Sequence, residues 1–490
     1  VYHGLLKKER QEIHERIGMA IEHIFSERLP EFYEVLAHHF SEGKSIRKAF
    51  DYLLKSGKKS FEHYSLKEAH VYFQKAYKII KSNSANFQDD EELLSRLLFK
   101  WAITYNQRGD FNGLIDLLTA HEDLIIKLNN KELLCLFYAW IGWAYERKLL
   151  LKESHQYLKK ALELAKGCKD EKITTAVCTY LIWTCADLGL LVDALEYSDR
   201  VRDGIHNHEL EQQVYQLFWC GVAWVHWFKG ESDKCIEAGN ILLESGLKNS
   251  DNRKLTLGYI AQGWGFNAKG DQKKAINSFE KAAEIAIDPQ YYCDAKIMLG
   301  FSHIADGNVT AAEAITEEML IFNKQYGFDF MGEAAKTFDG VISLAKGEFQ
   351  KGLNVLKKAE QRYINNGAKV RVAWQNQLLG RFYLKFVEGG GSISMNSIIK
   401  NSIFFLKTIP LAGRKAKHHL EKAIEISNQI GAGMILGPTM LDLGYLYRLK
   451  KNSEMAEKYF QRSIKIFREL NNDIYLKKAE GLLKEIQDRC

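Results

Sequence analysis

The stretch Leu257 to Ala286, LGYIAQGWGFNAKGDQKKAINSFEKAAEIA, decides the fold. Tyr259, Gly263 and Phe266 fall at steps of four and three residues, which places them on one helical face. Gly270, four residues further on, stops that helix. Asp271 then stands where a side-chain oxygen can cap a second helix, along which Ala275, Phe279, Ala282 and Ala286 again step by four, three and four. Small residues at Gly263, Ala275 and Ala282 let the two helix axes cross closely. One such hairpin cannot bury both of its faces. It must stack on copies of itself, which makes a solenoid.

The copies are present. The second-helix pattern returns as Ala69/Phe73/Ala76, Ser154/Leu158/Ala161, Ala194/Ser198/Val201, Gly352/Leu356/Ala359, Ala416/Leu420/Ala423 and Ala456/Phe460/Ser463. The glycines that end first helices recur at 109, 189, 230, 270, 307 and 347, so from Gly189 onward they lie 41, 40, 37 and 40 residues apart. The spacing of Gly263, Phe266, Gly270, Ala275, Phe279 and Ala282 resembles the tetratricopeptide repeat. That resemblance implies an all-α, right-handed superhelix of antiparallel helix pairs, A and B, that binds protein or peptide. Its usual period is about 34 residues. The surplus here predicts roughly one extra helical turn per repeat.

Composition agrees with that class. Four prolines in 490 residues, at 30, 289, 410 and 438, permit long helices. Few alternating β-branched runs leave little room for sheet. The net charge of +6, from 68 basic and 62 acidic residues without a basic run, is not the footprint of a nucleic-acid binder. Eight cysteines, at 135, 168, 178, 185, 220, 235, 293 and 490, form no CxxC pair and read as buried reduced thiols. No run of eighteen apolar residues could span a membrane, and the opening VYHGLLKKERQEIH is charged where a signal peptide is apolar. A cytoplasmic location is expected. A chain that opens on Val1 is expected to be a piece of a longer protein.

Residues 1–82 read as a helical junction with degenerate repeats. Its first helix spans about 5–25 with Ile13, Ile17, Ala20, Ile21 and Ile24 on its apolar side, and Pro30 opens the next. The runs YHGLLKKERQEIHERIGMAIE, LAHHFSEG and KAFDYLLKSGKKSF are similar to the junction in class III nucleotide-cyclase or kinase proteins, where a signal-transduction ATPase leads into a tetratricopeptide array. The resemblance implies an upstream ATPase and output domain, which are also candidate intramolecular partners.

After the polar break SNSANFQDDEE, a solenoid over 93–388 is expected, its pairs at about 93–126, 131–166, 171–205, 210–246, 252–287, 291–326 and 330–366. A 389–413 insertion, EGGGSISMNSIIKNSIFFLKTIPLAG and its flanks, would interrupt the next repeat, and repeats with a capping helix would fill 414–490. About ten pairs result.

Catalytic lookalikes fail. SEGKS at 41–45 ends like a phosphate loop, but His38 stands where the pattern needs glycine and a helix precedes it instead of a strand. The histidine pairs 38/39, 206/208 and 418/419 lack metal-ligand spacing. No Gly-x-Ser-x-Gly elbow occurs. The reading is a non-catalytic module with no cofactor and no metal site.

The nine tryptophans, 101, 140, 143, 183, 219, 224, 227, 264 and 374, all fall in A helices. Immediately after the small or central residue of four successive A helices, Gly142, Ile182, Ala223 and Gly263, stand Trp143, Trp183, Trp224 and Trp264. In the resembled family that position faces the concave groove. The resemblance therefore implies a ligand-binding ladder of these four, with Trp227 and Asn267 one turn on. The competing reading is that longer helices turn the column into contact between neighbouring A helices, where tryptophan fills space.

Overall fold

The computed structural model describes residues 7–83, 91–207, 212–326, 329–389 and 401–488. Among them there are 24 α-helices and no strand. Ten antiparallel pairs run from Ile46 to Glu469, and Asp473–Gln487 follows as a last helix. The chain is a tetratricopeptide-like helical-repeat solenoid, divided into two compact units, 1–140 and 141–490.

The extra length lies in the helices themselves. A and B helices such as Gln212–Lys229 and Ser232–Asn249 each have 18 residues. The expected A-helix stops are in place: Gly189, Gly230, Gly270, Gly307 and Gly347 take φ between 78° and 86°. Asp271 accepts the amide of Lys274, capping the next helix.

A close glycine approach sets the register of six of the pairs. A Cβ on Gly263 would stand 2.5 Å from the Phe279 ring, one on Gly142 2.6 Å from Leu158, and one on Gly444 2.6 Å from Phe460. Gly57 and Gly340 meet Phe73 and Leu356 in the same way. Each of these partners lies sixteen residues after its glycine. Gly380 meets Leu420 instead, forty residues on, so the ninth pair carries 24 extra residues.

Residues 390–400 lie outside the described residues. From Ser402 the chain is one 29-residue helix to Ile430 that includes Pro410. The B helix expected from 414 thus begins twelve residues earlier. Phe404 and Phe405 explain the extension, because they pack on Phe349 and Phe386.

Three further expectations change in the N-terminal unit. The first helix, Lys7–Ile24, buries His14, Glu15 and Gly18, while Ile13, Ile17, Ala20 and Ile24 are exposed. Gly18 explains the choice, since a Cβ there would be 2.9 Å from the Phe40 ring and a bulkier face could not come as near. Pro30 sits in a 3₁₀ segment, Ser26–Phe32, and the next α-helix starts at Tyr33. The pair expected at about 93–126 contains three helices, its second half being Phe111–Thr119 and Glu122–Lys127. His121 stands at the break, its ring 2.7 Å from the Leu117 carbonyl and 2.9 Å from the Tyr77 hydroxyl.

In the 141–490 unit the A helices face inward and the late ones reach the early ones. Helix Glu171–Leu188 touches Lys369–Val387, Gln212–Lys229 touches Gly433–Leu449, and Asn252–Lys269 touches Asp473–Gln487. The helix-stopping glycines serve this seam as well. Gly189 lies against Ile430 and Lys369, Gly230 against Leu470 and Met434, and Gly270 against Tyr475 and Ile474. Lys152 donates to the Asn365 carbonyl at 2.9 Å and Asn472 to the Ala268 carbonyl at 2.8 Å.

Candidate functional site

The tryptophan column forms, and it is covered. Trp143 and Trp183 rings meet edge-on at 6.3 Å, Trp183 and Trp224 stack at 6.0 Å, and Trp224 and Trp264 are 4.6 Å apart. Trp227 joins through Trp224 at 4.9 Å and Trp264 at 5.9 Å. All five are between 1% and 8% exposed. Trp183 donates its indole N–H to the Leu217 carbonyl at 2.9 Å, which ties one A helix to the next. Trp374, from the late helix Lys369–Val387, closes on Trp227 at 6.0 Å. A continuous aromatic wall of this kind contributes packing first, and opens to a ligand only where its cover moves.

One turn beyond the ladder lie charges that the sequence reading missed. Arg147, four residues after Trp143, is buried against Glu146, with its guanidinium 4.9 Å from the Trp143 ring and 5.7 Å from Trp183. Asp187, four residues after Trp183, is fully buried. Its nearest opposite charge is Arg371 at 3.5 Å, from across the seam. Asp294, from helix Pro289–Ala305, completes the group beside a small cavity that it lines with Trp224, Trp264, Tyr291 and Cys220.

Burial decides the titration of this cluster. Burial pushes Asp187 up to about 6 against the pull of Arg371. Burial likewise lifts Asp294 to about 7, opposed by Arg147. Arg147 is itself disfavoured by burial, but Glu146 more than offsets that and holds it charged. The only sequence sign of the group was a charge at an inner position of an otherwise apolar A helix.

Further along the same inner face the packing opens into a chamber of about 760 Å³. Met298, Phe301, Phe349, Trp374, Phe382 and Phe386 give it an apolar wall, and Asn267, Gln377, Arg381 and Tyr475 give it polar points. Arg381 is held by Asp442 at 2.6 Å. Asn267 reaches this chamber, so of the residues singled out from sequence it lines the larger space while the tryptophans lie under cover. Phe301 and Trp374, 4.9 Å apart, join the two regions.

Nothing in the lookalike motifs gathers a reaction centre. The Lys44 and Ser45 amides of the SEGKS turn donate to Glu15 at 2.8 and 3.0 Å, so the donors a phosphate would need are engaged. His14 and His39 share a 2.9 Å contact. Among the described residues no group of three or more His, Cys, Asp or Glu is placed to hold a metal. His208 lies outside the described residues, as does the side chain of His206. Among the described residues six cysteines, 135, 178, 185, 220, 235 and 293, are buried and Cys168 is half-buried. No described helix is long and apolar enough to cross a membrane.

A tetratricopeptide repeat family model matches residues 438–469, within the pair Gly433–Leu449 and Ser453–Glu469. No curated protein matches the chain. Among solved structures it is similar to a Rap protein complexed with competence and sporulation factor, at 13% identity and a TM-score of 0.48, covering 77% of this chain and 98% of that one. It is also similar to the APC/C hetero-tetramer Cut9–Hcn1, at 14% identity and 0.35, covering 97% and 93%. A human IFIT1 dimer with m7Gppp-AAAA follows at 16% and 0.38, covering 67% of each chain. At these identities and scores the likenesses assign the chain no ligand.

Proposed function

We propose that the 141–490 unit is a non-catalytic module that binds a protein segment or peptide, with the chamber as its receiving surface. The observation that carries this reading is the chamber itself. Its volume of about 760 Å³, aromatic wall and few polar points have the character of a specific binding site. It takes a short apolar or aromatic segment, oriented by Asn267, Gln377 and Arg381. The ladder of Trp143, Trp183, Trp224, Trp227 and Trp264 is the second part of the site. It joins the chamber at Trp374 and contacts ligand only after the seam opens.

A peptide library selected on the full chain tests this. Selected peptides should be rich in aromatic and aliphatic residues and should lose at least about tenfold in affinity, roughly 1.4 kcal/mol, on Phe382→Ala. Peptides that bind the variant equally well would sink the chamber as the site.

The N-terminal runs of residues 2–61 support a finer placement, as the sensory or autoregulatory region behind a cyclase-type signalling ATPase. Ligand binding would then change the curvature of the array and release the upstream domains. The rival placements are an ATPase-type transcription regulator and a stand-alone peptide-binding scaffold. Reading the coding sequence upstream of Val1 separates the three.

A further inference from the structure

The seam and the buried charges belong together. Asp187 belongs to the early arm, on helix Glu171–Leu188, and Arg371 to the late arm, on Lys369–Val387. Around them stand Glu146 and Arg147 from Lys131–Arg147, Asp294 and Tyr291 from Pro289–Ala305, and Trp224 and Cys220 from Gln212–Lys229. With every carboxyl ionised, three carboxylates face two guanidinium groups. Asp187, in a place without exposure, stands 3.5 Å from Arg371 and faces the Trp224 indole, two contacts that do not replace the water a carboxylate loses on burial. An anion so held is costly unless it takes a proton or regains water.

We propose that this cluster is a proton-sensitive latch: with Asp187 and Asp294 protonated the late arm lies shut over the tryptophan face, and their ionisation, which sets three buried carboxylates against two guanidinium groups, loosens it. The sign follows from the two states. In the open arm both carboxyls are hydrated and titrate near the ordinary value of 3.8. In the closed arm they titrate near 6 and 7. Closure is therefore tightest at low pH, weakens as pH rises through those values, and is level above them. His419 stays out of this balance. It contacts Asn376 and stacks on Tyr383, both within the late arm, and arm opening leaves it in place.

The latch regulates the proposed binding surface, because the chamber draws walls from both arms: Asn267 and Phe301 from one, Phe382 and Tyr475 from the other. Only that consequence rests on the peptide-binding reading. The latch itself is tested without ligand, so the two can fail separately.

The test uses nitroxide labels at the exposed positions Glu153 and Gln361, flanking the Lys152–Asn365 contact, in the full chain with Cys168 and Cys490 replaced by serine. Double electron–electron resonance then reads the arm distance at pH 5 and pH 7.5. The opening constant should rise by up to about tenfold per pH unit for one proton released. The long-distance population should accordingly grow in the parent, grow less in Asp294→Asn, which keeps Asp187 to titrate, and stay low at both values in the Asp187→Asn/Asp294→Asn double variant. Arg371→Gln should enlarge it at pH 7.5, where Asp187 is ionised and loses its nearest opposite charge. Gly433→Val, which forces a side chain onto the Lys229 carbonyl, should open the seam whatever the pH. Circular dichroism confirms that each variant keeps its helices. A parent distribution unchanged between the two pH values overturns the latch, and so does a pH response that survives in the Asp187→Asn/Asp294→Asn double variant.

Discussion

The inner face of helices 171–269 is filled, and that of helices 289–387 is hollow, although both are built from the same hairpin. In the first, tryptophan stands at one equivalent position in each A helix and the late arm lies on top. In the second, the corresponding surface carries Met298, Phe301, Trp374, Phe382 and Phe386, which line a chamber. The difference teaches that a repeat places an inner face without deciding whether it is a surface or a core. Side-chain volume and the path of the chain on closure decide that.

The widest gap between the two regions should appear on truncation. Trp227→Ala removes a fully buried ring from the filled face and should cost about 3–5 kcal/mol in denaturant unfolding, provided unfolding stays cooperative. Phe382→Ala removes part of a wall already bordering empty space and should cost no more than about 2 kcal/mol. Equal losses would erase the distinction.

Next in size is the seam. Arg371→Gln leaves Asp187 buried without its nearest opposite charge and should cost about 3 kcal/mol at neutral pH, with less lost at pH 5, where Asp187 takes up a proton. The melting-temperature gap between Asp294→Asn and the parent should likewise widen from pH 5 to about pH 7 and then stay constant. A gap independent of pH would mean that Asp294 keeps an ordinary carboxyl in the fold.

A capping change gives a smaller effect that tests neither region. Asp271→Ala removes the acceptor for the Lys274 amide and should cost about 1 kcal/mol in the same unfolding measurement. The smallest effect on stability belongs to the hollow side. Ala345→Phe points into the chamber and should change stability by less than about 0.5 kcal/mol, while reducing peptide affinity measured by calorimetry. Loss of stability comparable to Trp227→Ala would show that the chamber is packed in solution.

Much of this architecture was legible before any coordinates. Gly263 and Phe279 announce a close helix crossing because the requirement is local: a hairpin of fixed turn length brings residues sixteen apart into contact. Gly270 and Asp271 announce the turn because positive φ and an exposed amide are needs of the backbone itself. The first helix was read less well. Its isoleucines have the right period, yet Gly18 against Phe40 sets the buried side, and the size of that contact depends on a residue twenty-two positions away. The candidate site divides in the same manner. The tryptophan column could be written down from sequence register, whereas the Asp187–Arg371 pair spans 184 residues and carries no periodic signal.

Amino-acid order alone therefore determined that the chain is all-helical, where its A helices stop, how its pairs cross and which residues stand in one column. Those properties follow from backbone sterics, capping and a helical period, each settled within about forty residues. Only the tertiary structure decided that the column is covered, that Asp187 meets Arg371, that a chamber remains beside Phe301 and Trp374, and that the helix after the insertion begins at Ser402. These depend on how small rotations between successive repeats add up until one end of the unit meets the other, and no single repeat encodes that sum.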